Sequence, residues 1–297
     1  MLKIEKKNIV QLKNEGSNVE MPLFYNPIFL DKKKRDGFKV VVLDFFDKSV
    51  FLGRFVYDEN SKMSLPESSF GGLCLTVKGK FYFKEILAEI ETLGLCRIVF
   101  SPNSYDYCPD IDRLKKYNKI EDVTVFLPLE GTYYSNLERS ERKRYKKCKK
   151  EGFHCKNLTL NDLPEVYAMI LETKNRKGYP GTLPFHQLEE MFILFPKEYR
   201  AFGCFDGTML IAVMVNIKIS DSVFYNFYLG DKIDYRNYSP IVLLLEWVYD
   251  YAQLEGGRIL DLGLSSDNGK LNEGLHSFKL KLGGVISKKI SFVKDEC

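Results

Sequence analysis

The stretch from Gly257 to Val293 constrains the fold of this chain more than any other segment. Arg258–Leu262 has the apolar pattern of a buried strand; a loop rich in Ser, Asp, Asn and Gly, a short helix and a β-branched strand follow. The helix is expected to end at Gly283-Gly284, because glycine readily adopts the left-handed conformation that terminates helices. A strand, a helix and a second strand in close succession predict an α/β protein.

Length and composition set wider bounds. A chain of 297 residues, 45% hydrophobic and 14% aromatic, can bury the cores of two domains of ordinary size. No apolar run is long enough to cross a bilayer, and the charged N-terminal residues do not form a signal peptide. The cysteines form no C-x-x-C pair, so free thiols in a reducing compartment and a cytoplasmic location are expected. They are Cys74, Cys96, Cys108, Cys148, Cys155, Cys204 and Cys297.

Apolar periodicity and turn residues predict the remaining elements. In residues 1–130 the expected helices are Tyr25–Lys33, Phe81–Leu93 and Asp110–Tyr117, and the strands are Phe38–Phe45, Ser49–Tyr57, Cys96–Phe100 and Val123–Leu129. In residues 131–297 the helices are Glu165–Asn175, Pro184–Leu194 and one capped by Ser239-Pro240, and the strands before the C-terminal segment are Arg200–Phe205, Met209–Ile219 and Ser222–Leu229. The hairpin predicted within residues 38–57 and the one within residues 200–219 are alike in pattern. This likeness favours two tandem α/β domains, 1–130 and 131–297, over one continuous domain.

A basic helix is expected over residues 137–151. Residues 138–150 carry eight Lys or Arg and two Glu, a net charge of +6, whereas the rest of the chain sums to −2. Such a run is typical of a solvated face that complements nearby acids. It would also suit the phosphate backbone of a tRNA or an anionic lipid-linked precursor. Tyr145 is the only aromatic residue in the run, which disfavours a base-stacking surface.

The order of elements over residues 160–295 and several short motifs resemble FemAB-type proteins within the GNAT-like acyltransferase superfamily. The motifs are the basic helix, the loops SSFGG at 68–72 and SPNSYDY at 101–107, and the FK..GG element around Phe278-Lys279 and Gly283-Gly284. The resemblance implies two tandem GNAT-like mixed-sheet domains, of class α/β (α+β). It also implies transfer of an acyl or aminoacyl group to an amine or hydroxyl, often on a cell-wall or polysaccharide precursor. The implied donor is an acyl-CoA such as acetyl-CoA, or an aminoacyl-tRNA.

One motif departs from the family pattern. GNAT enzymes hold the pyrophosphate of acetyl-CoA on a turn of the form R/Q-x-x-G-x-G/A at a helix N-terminus. Here the matching residues are Arg236-Asn237-Tyr238-Ser239-Pro240-Ile241, in which Ser239 and Ile241 replace both glycines and Pro240 removes an amide donor. An unusual grip on the donor, an aminoacyl-tRNA donor, or loss of catalysis would each fit this change. Arg236, Asn237, Tyr238 and Ser239 remain the expected donor-binding residues, because anions bind readily at helix N-termini.

The expected catalytic residues lie near the end of the chain and in the strand before Arg236. Asp261 ends a predicted strand beside a flexible loop, where it would act as a general base, orient the acceptor or bond the loop. His276 and Lys279 share one helix face; the imidazole would move a proton and the ammonium would attract a carboxylate or phosphate of the donor. Tyr225 and Tyr228 are expected on opposite faces of their strand, one of them in the cleft. Tyr228 is assigned as the catalytic tyrosine and Tyr225 as a substrate contact.

Three further residues are expected at the acceptor. Asn216 lies in an otherwise apolar strand and needs a hydrogen-bond partner if it is buried; a substrate or the backbone would supply one. Lys174 and Arg176 end the first helix of the second domain, where they would stabilise the helix terminus or line the acceptor pocket. No cysteine and histidine set has metal-ligand spacing, so no metal is expected.

Three functions follow from these observations. The first is an acyltransferase that uses an acyl-CoA. The second is an aminoacyl-tRNA-dependent ligase of the peptidoglycan-bridge type, with residues 138–150 binding the tRNA. The third is a non-catalytic protein that binds a sugar, a peptide or a partner on a degenerate GNAT fold.

Overall fold

The computed structural model describes residues 2–14, 21–65, 71–178 and 183–295. The strands are β1 (Leu2–Lys7), β2 (Val40–Asp47), β3 (Val50–Asp58), β4 (Met63–Ser64), β5 (Leu73–Leu75), β6 (Arg97–Val99), β7 (Asn118–Pro128), β8 (His154–Leu158), β9 (Tyr199–Asp206), β10 (Met209–Lys218), β11 (Val223–Asp231), β12 (Ile259–Leu264), β13 (Ser266–Asp267), β14 (Lys270–Leu271) and β15 (Val285–Val293). The helices are α1 (Ile9–Asn14), α2 (Pro27–Arg35), α3 (Phe83–Thr92), α4 (Tyr133–Asn136), α5 (Arg139–Lys150), α6 (Leu163–Lys177), α7 (Phe185–Leu194), α8 (Pro240–Leu254) and α9 (Glu273–Lys281).

The chain divides into two compact units. The first contains the residues up to Thr124, Leu264–Asn272 and the residues from Ser287 onward. Its strands follow the order β1-β2-β3-β4-β6-β15, with β5 also paired to β3. A cluster of apolar side chains that includes Phe45, Phe55 and Phe292 fills its core.

The second unit contains Val125–Gly263 and Glu273–Ile286. Its strands follow the order β7-β12-β11-β10-β9-β8. Alternate residues of β9, β10 and β11 enter two separate cores, one with α5 and α8 and the other with α6 and α7. Helices therefore cover both faces of this sheet, as in other α/β layers.

Most of the expected elements of the second unit are confirmed. The hairpin β9–β10 turns at Asp206-Gly207, and α6 and α7 lie within a few residues of their expected bounds. The helix α9 ends at Lys281, two residues before Gly283, whose φ of 88° is the left-handed conformation that the paired glycines predict.

Two expectations about the first unit are wrong. Residues 110–117 form no helix, although Ile111 and Leu114 are buried. Their three-residue spacing imitates a helical stripe, but here both side chains are anchored in the core from irregular chain. Cys96 is disulfide-bonded rather than a free thiol, because pairing depends on the fold and not on sequence spacing. Residues 68–70 of the SSFGG loop lie outside the described residues.

Among the helices of the described segments, none is long and apolar enough to cross a membrane.

Candidate functional site

The strands β11 and β12 of the second unit separate part of the way along their length. Their parallel ladder consists of three residue pairs, from Val223 with Ile259 to Tyr225 with Asp261. Both strands continue beyond it, β11 to Asp231 and β12 to Leu264. The divergence leaves a gap in the sheet whose edges carry backbone donors and acceptors without a ladder, which is a setting in which a ligand can hydrogen-bond to strands.

A β-bulge in β11 lies beside this gap. Val215 of β10 pairs with Tyr228 and Asn216 with Asn226, so Phe227 is an extra residue in β11. The bulge places the adjacent rings of Phe227 and Tyr228 with centroids 3.9 Å apart, and Tyr225 lies 6.1 Å from Phe227. The expectation that Tyr225 and Tyr228 face opposite sides is therefore wrong, because the extra residue shifts the two-residue alternation.

Asp261 and Lys279 lie at the start of the gap. Asp261 is 1% exposed, and one of its carboxylate oxygens accepts a hydrogen bond of 2.7 Å from the N–H of Gly263. The Lys279 ammonium is buried on α9 and donates to the Gly263 carbonyl at 2.7 Å. Burial lowers the pKa of Lys279 from about 10.5 to about 8, against a smaller opposing effect of the Asp261 carboxylate. Such a lysine carries its charge at neutral pH and gives up a proton slightly above it.

Gly263 is the point on which these groups converge. Its φ is 80°, a conformation that side-chain-bearing residues rarely adopt. A Cβ at this position would lie 3.6 Å from the hydroxyl of Tyr225, so that hydroxyl also points toward the glycine. The structure thus brings Asp261, Lys279 and Tyr225 together around one backbone position.

His276 lies one turn before Lys279 on α9. Its side chain is half-buried, and its Nδ1 is buried without a hydrogen-bond partner among the described residues. A buried imidazole nitrogen with no protein partner is available to a substrate proton.

A cationic cluster surrounds Asp231 at the end of β11. Arg176 of α6 donates to the Asp231 carboxylate at 2.7 Å and to its carbonyl at 3.1 Å, and Arg236 lies 3.4 Å from the other carboxylate oxygen. Lys177 is close enough for the Asp231 charge to oppose the lowering of its pKa, which burial causes. Arg176 also lies 3.8 Å from the Glu172 carboxylate. The three cations still outnumber the two carboxylates, which leaves a net positive charge that suits an anion. Arg176 therefore serves this cluster rather than only the end of its own helix.

The turn that contains Arg236, Asn237, Tyr238 and Ser239 precedes α8. Ser239 has φ of 57° and its side chain makes no cap hydrogen bond, so the expected serine cap is wrong. Because the preceding turn already uses the Ser239 N–H, which donates to the carbonyls of Tyr235 and Arg236, the residue is held in the left-handed conformation that a glycine would adopt without strain.

The basic helix α5 supports this turn. The Cys148 thiol donates to the Tyr238 carbonyl at 3.2 Å, and the Lys147 ammonium lies 4.0 Å from the centre of the Tyr238 ring and 3.4 Å from the Asn237 carbonyl. The Tyr238 ring also packs on Phe153, with centroids 5.4 Å apart. Asn237 and Tyr238 thus face α5 and its neighbours, whereas Arg236 reaches Asp231.

The outward face of α5 carries a row of exposed cations: Arg139, Lys143, Lys146 and Lys150. We call this row the basic ridge; successive members are three or four residues apart and share one helix face. None of the four side chains has a hydrogen-bond or ion-pair partner within the described part of the chain. Their neighbours on the helix do, since Arg144 pairs with Glu141 at 3.0 Å and Lys149 with Glu246 at 3.3 Å. The expected complement of nearby acids therefore holds for the flanks of the helix and not for the ridge.

The remaining expected residues make other contacts in the second unit. The Tyr228 hydroxyl accepts a hydrogen bond of 3.1 Å from the Leu183 N–H, and burial raises its pKa. The Lys174 ammonium lies 4.7 Å from the centre of the Tyr228 ring, and burial lowers its pKa. Asn216 is 1% exposed, and its Nδ2 has no partner among the described residues; the same holds for Oδ1 of Asn226, which faces it in the ladder.

Three residues important to this site were not singled out from the sequence. Gly263 directly follows the predicted strand Arg258–Leu262, and Asp231 lies two residues beyond the predicted strand Ser222–Leu229. The end of a strand is a signal that sequence inspection can use. Phe227 carries no such signal, because a bulge depends on pairing between strands. Within the described ranges, no group of three or more His, Cys, Asp or Glu is placed to hold a metal ion.

The whole fold was compared with known proteins. No protein-family model and no curated protein sequence matches the chain. The crystal structure of FemX matches with a TM-score of 0.65 and 12% identity over 98% of each chain. A conserved protein of unknown function from Bacteroides thetaiotaomicron matches with a TM-score of 0.56 and 9% identity, over 99% of this chain and 100% of that one. The C-terminal domain of a putative lysylphosphatidylglycerol synthetase from Agrobacterium fabrum matches with a TM-score of 0.51 and 8% identity, over 86% and 81% of the chains.

At these identities the likeness shows the fold and not the activity. The chain has a mixed α/β fold like that of FemX, which confirms the α/β class expected from the sequence.

Proposed function

We propose that this chain is an acyltransferase in which an activated acyl donor lies along the gap between β11 and β12 and reacts beside Gly263. The observation that carries the proposal is the early end of the β11–β12 ladder at Tyr225 and Asp261, with a buried lysine directed at the gap. Buried ionisable side chains with strongly shifted pKa, here about 8 for Lys279, cluster at functional sites.

The charges along β11 support the placement of the donor. Arg176, Lys177 and Arg236 surround Asp231 at one end of the gap, and the carboxylate neutralises only part of their charge. Both an acyl-CoA and the 3′ end of an aminoacyl-tRNA carry phosphates that this end would attract. The acyl carbonyl would then lie near Gly263.

The proposed reaction needs, near Gly263, a positive charge that stabilises the carbonyl oxygen and a base that accepts a proton. An acceptor amine or hydroxyl attacks the donor carbonyl carbon, a C–N or C–O bond forms, and the thioester or ester bond breaks. The Lys279 ammonium would stabilise the negative charge that develops on the carbonyl oxygen. Asp261, or Nδ1 of His276, which has no partner among the described residues, would take the proton of the attacking group, and that proton would pass to the leaving thiolate or ribose alkoxide.

Acyl transfer is tested with acetyl-CoA, longer acyl-CoAs and aminoacylated tRNA as donors and a panel of amines as acceptors. Binding is measured by calorimetry, and transfer by release of free thiol or deacylated tRNA. We expect one donor class to bind and to react, and Lys279→Met to keep binding but lose transfer. Lys281→Met, on the same helix, is the matched control. The proposal is wrong if no donor class binds or reacts.

A second donor class is favoured by one specific observation, the basic ridge on α5. Its four cations span about 16 Å with about 5.5 Å between neighbours, as the helical rise dictates, and they have no acidic partner among the described residues. An RNA backbone presents a row of negative charges that such a row would contact without reading the sequence. On this basis an aminoacyl-tRNA is the alternative donor.

The donor classes are separated by a variant in which the four ridge residues become glutamine. If the donor is a tRNA, its affinity should fall and the slope of log K against log salt should become shallower by about three to four. A control variant with Lys48, Lys84, Lys116 and Lys197 changed to glutamine removes four exposed cations elsewhere. Equal losses in the two variants would leave the ridge without a specific role, and acyl-CoA would remain the donor.

A further inference from the structure

A pair of cysteines on the edge strand of the second unit is placed for oxidation. Cys155 of β8 and Cys204 of β9 are directly opposite each other in the antiparallel ladder. Opposed residues in such a ladder have Cα atoms about 4.5 to 5.5 Å apart. Disulfides form over Cα separations of roughly 4.4 to 6.8 Å, so the backbone already satisfies this requirement.

The side chains of the pair meet as well. Both are free thiols, Cys204 lies in the core beside α5 and α8, and Cys155 packs against that same core. The interaction with Cys155 and burial raise the pKa of Cys204. The register and the shared core are separate observations of the same proximity.

The two thiols differ in access. Cys204 is 0% exposed, whereas Cys155 is half-buried on β8, the last strand in the order of its sheet. A reagent in solution would therefore reach Cys155 first, and Cys204 would follow as the resolving thiol.

We propose that Cys155 and Cys204 are a reversible modification site, which forms an intramolecular disulfide by exchange with a small disulfide such as oxidised glutathione. The Cys155 thiolate attacks one sulfur of the reagent, the S–S bond of the reagent breaks, and one small thiol leaves after taking up a proton. Cys204 then loses its proton to solvent, its sulfur attacks the Cys155 sulfur of the mixed disulfide, and the second small thiol leaves. Two protein thiols are oxidised and one small disulfide is reduced to two thiols.

The remaining free cysteines are placed differently. Cys148 is close enough to Cys204 for Cys204, after burial, to raise its pKa, but it is buried on α5 and its thiol is directed to the Tyr238 carbonyl.

Cys74 is buried in the first unit, where its register partner is Arg54. Cys108 lies near Cys74, since burial and then the charge of Cys74 raise the pKa of Cys108. Trypsin places these two cysteines in the peptides 63–78 and 98–113, so the digest distinguishes a cross-link between them from the proposed one.

The proposal is tested by incubating the folded protein with mixtures of reduced and oxidised glutathione, blocking the remaining thiols and digesting it with trypsin without reduction. The sequence assigns the product without ambiguity, because Cys155 lies in the peptide 151–156 and Cys204 in the peptide 201–218, each with no other cysteine. We expect these peptides to be joined in the major product and to separate on reduction. Formation should be faster at higher pH, since Cys204 must lose its proton.

Two variants complete the test. Cys155→Ser should abolish the cross-link and leave Cys204 unmodified. Cys74→Ser should leave the yield of the cross-link unchanged. A protein that stays reduced at every glutathione ratio would overturn the proposal. So would glutathione retained on Cys155 without a cross-link, or a cross-link from Cys148 to Cys204. None of these outcomes depends on acyl transfer.

Discussion

Both units of the protein bury long cationic side chains, and Arg54 of the first unit differs from Lys279 of the second in what neutralises its charge. Arg54 in β3 and Lys279 in α9 are equally buried, at 6% exposure. Arg54 forms a two-bond ion pair with the buried Asp44, at 2.6 and 2.8 Å. Lys279 donates to a neutral carbonyl, and burial outweighs the attraction of Asp261 in setting its pKa.

This difference distinguishes a buried charge that its partner neutralises from one that lowers the stability of the fold. A buried ion pair with full hydrogen bonding can hold a sheet together, although apolar residues of the same volume would do so as well. A buried ammonium whose pKa is depressed weakens the fold at neutral pH. Such a group is retained where its charge is used, and this is why Lys279 rather than Arg54 is central to the proposed reaction.

The largest expected effect is on activity at Lys279. Replacing Lys279 by Met removes the charge proposed to stabilise the carbonyl oxygen, and transfer should slow by about 10²- to 10³-fold. The rate is measured under single-turnover conditions with the donor that binds. Arg54→Met should leave the rate of the folded fraction unchanged. Equal slowing in both variants would erase the distinction between the two cations.

The largest expected effect on stability is at Arg54. Arg54→Met leaves the Asp44 carboxylate buried without its partner and should lower the free energy of unfolding by about 3–5 kcal/mol. Urea denaturation measures this loss. The double variant Arg54→Met with Asp44→Leu removes both charges and should recover most of the stability. A mild loss in the single variant would mean that water reaches Asp44.

The buried ammonium of Lys279 should make the free energy of unfolding depend on pH. Its pKa is about 8 in the folded protein and about 10.5 in the unfolded chain. Between these values the unfolded chain binds more protons, so the free energy of unfolding should rise with pH, by up to about 3 kcal/mol over the window. The contribution is absent above pH 10.5 and costs stability below pH 8.

Comparison with Lys279→Met isolates this contribution from other titrations. The difference in stability between wild type and variant should change with pH from 8 to 10.5 and stay constant below 8. Parallel curves through the window would show that the ammonium is hydrated in the folded protein.

The sequence predicted the elements of this fold better than it predicted the site. Strands such as β9 and β10 are specified by local patterns of apolar residues around Asp206-Gly207, and local patterns are what a sequence displays. The helix expected over residues 110–117 failed because Ile111 and Leu114 have helical spacing but are held by distant core residues. Spacing alone does not distinguish these cases.

The geometry of the gap depends on pairing between strands that are far apart in sequence. Asp261 and Lys279 were expected at the site from their position near a loop and on a helix face. Their convergence on Gly263 depends on where the β11–β12 ladder stops, and the shift of Tyr228 depends on the bulge at Phe227. Neither feature has a local signature, because both are properties of the ladder.

The smallest expected effect concerns the turn before α8, residues 236–239. There the destabilising feature is a strained backbone conformation and not a buried charge. Ser239 has φ of 57°, which is strained for a residue with a side chain, and it makes no cap hydrogen bond that would offset the strain. Ser239→Gly should raise the free energy of unfolding by about 1 kcal/mol, less the entropy that glycine gains in the unfolded chain. Ser277→Gly is the matched control, because Ser277 is an exposed residue within the regular helix α9, where glycine should lower stability by about the same amount. Urea denaturation of both variants gives the sign. If Ser239→Gly lowers stability instead, the serine hydroxyl contributes to the stability of the turn by more than the strain of its backbone costs.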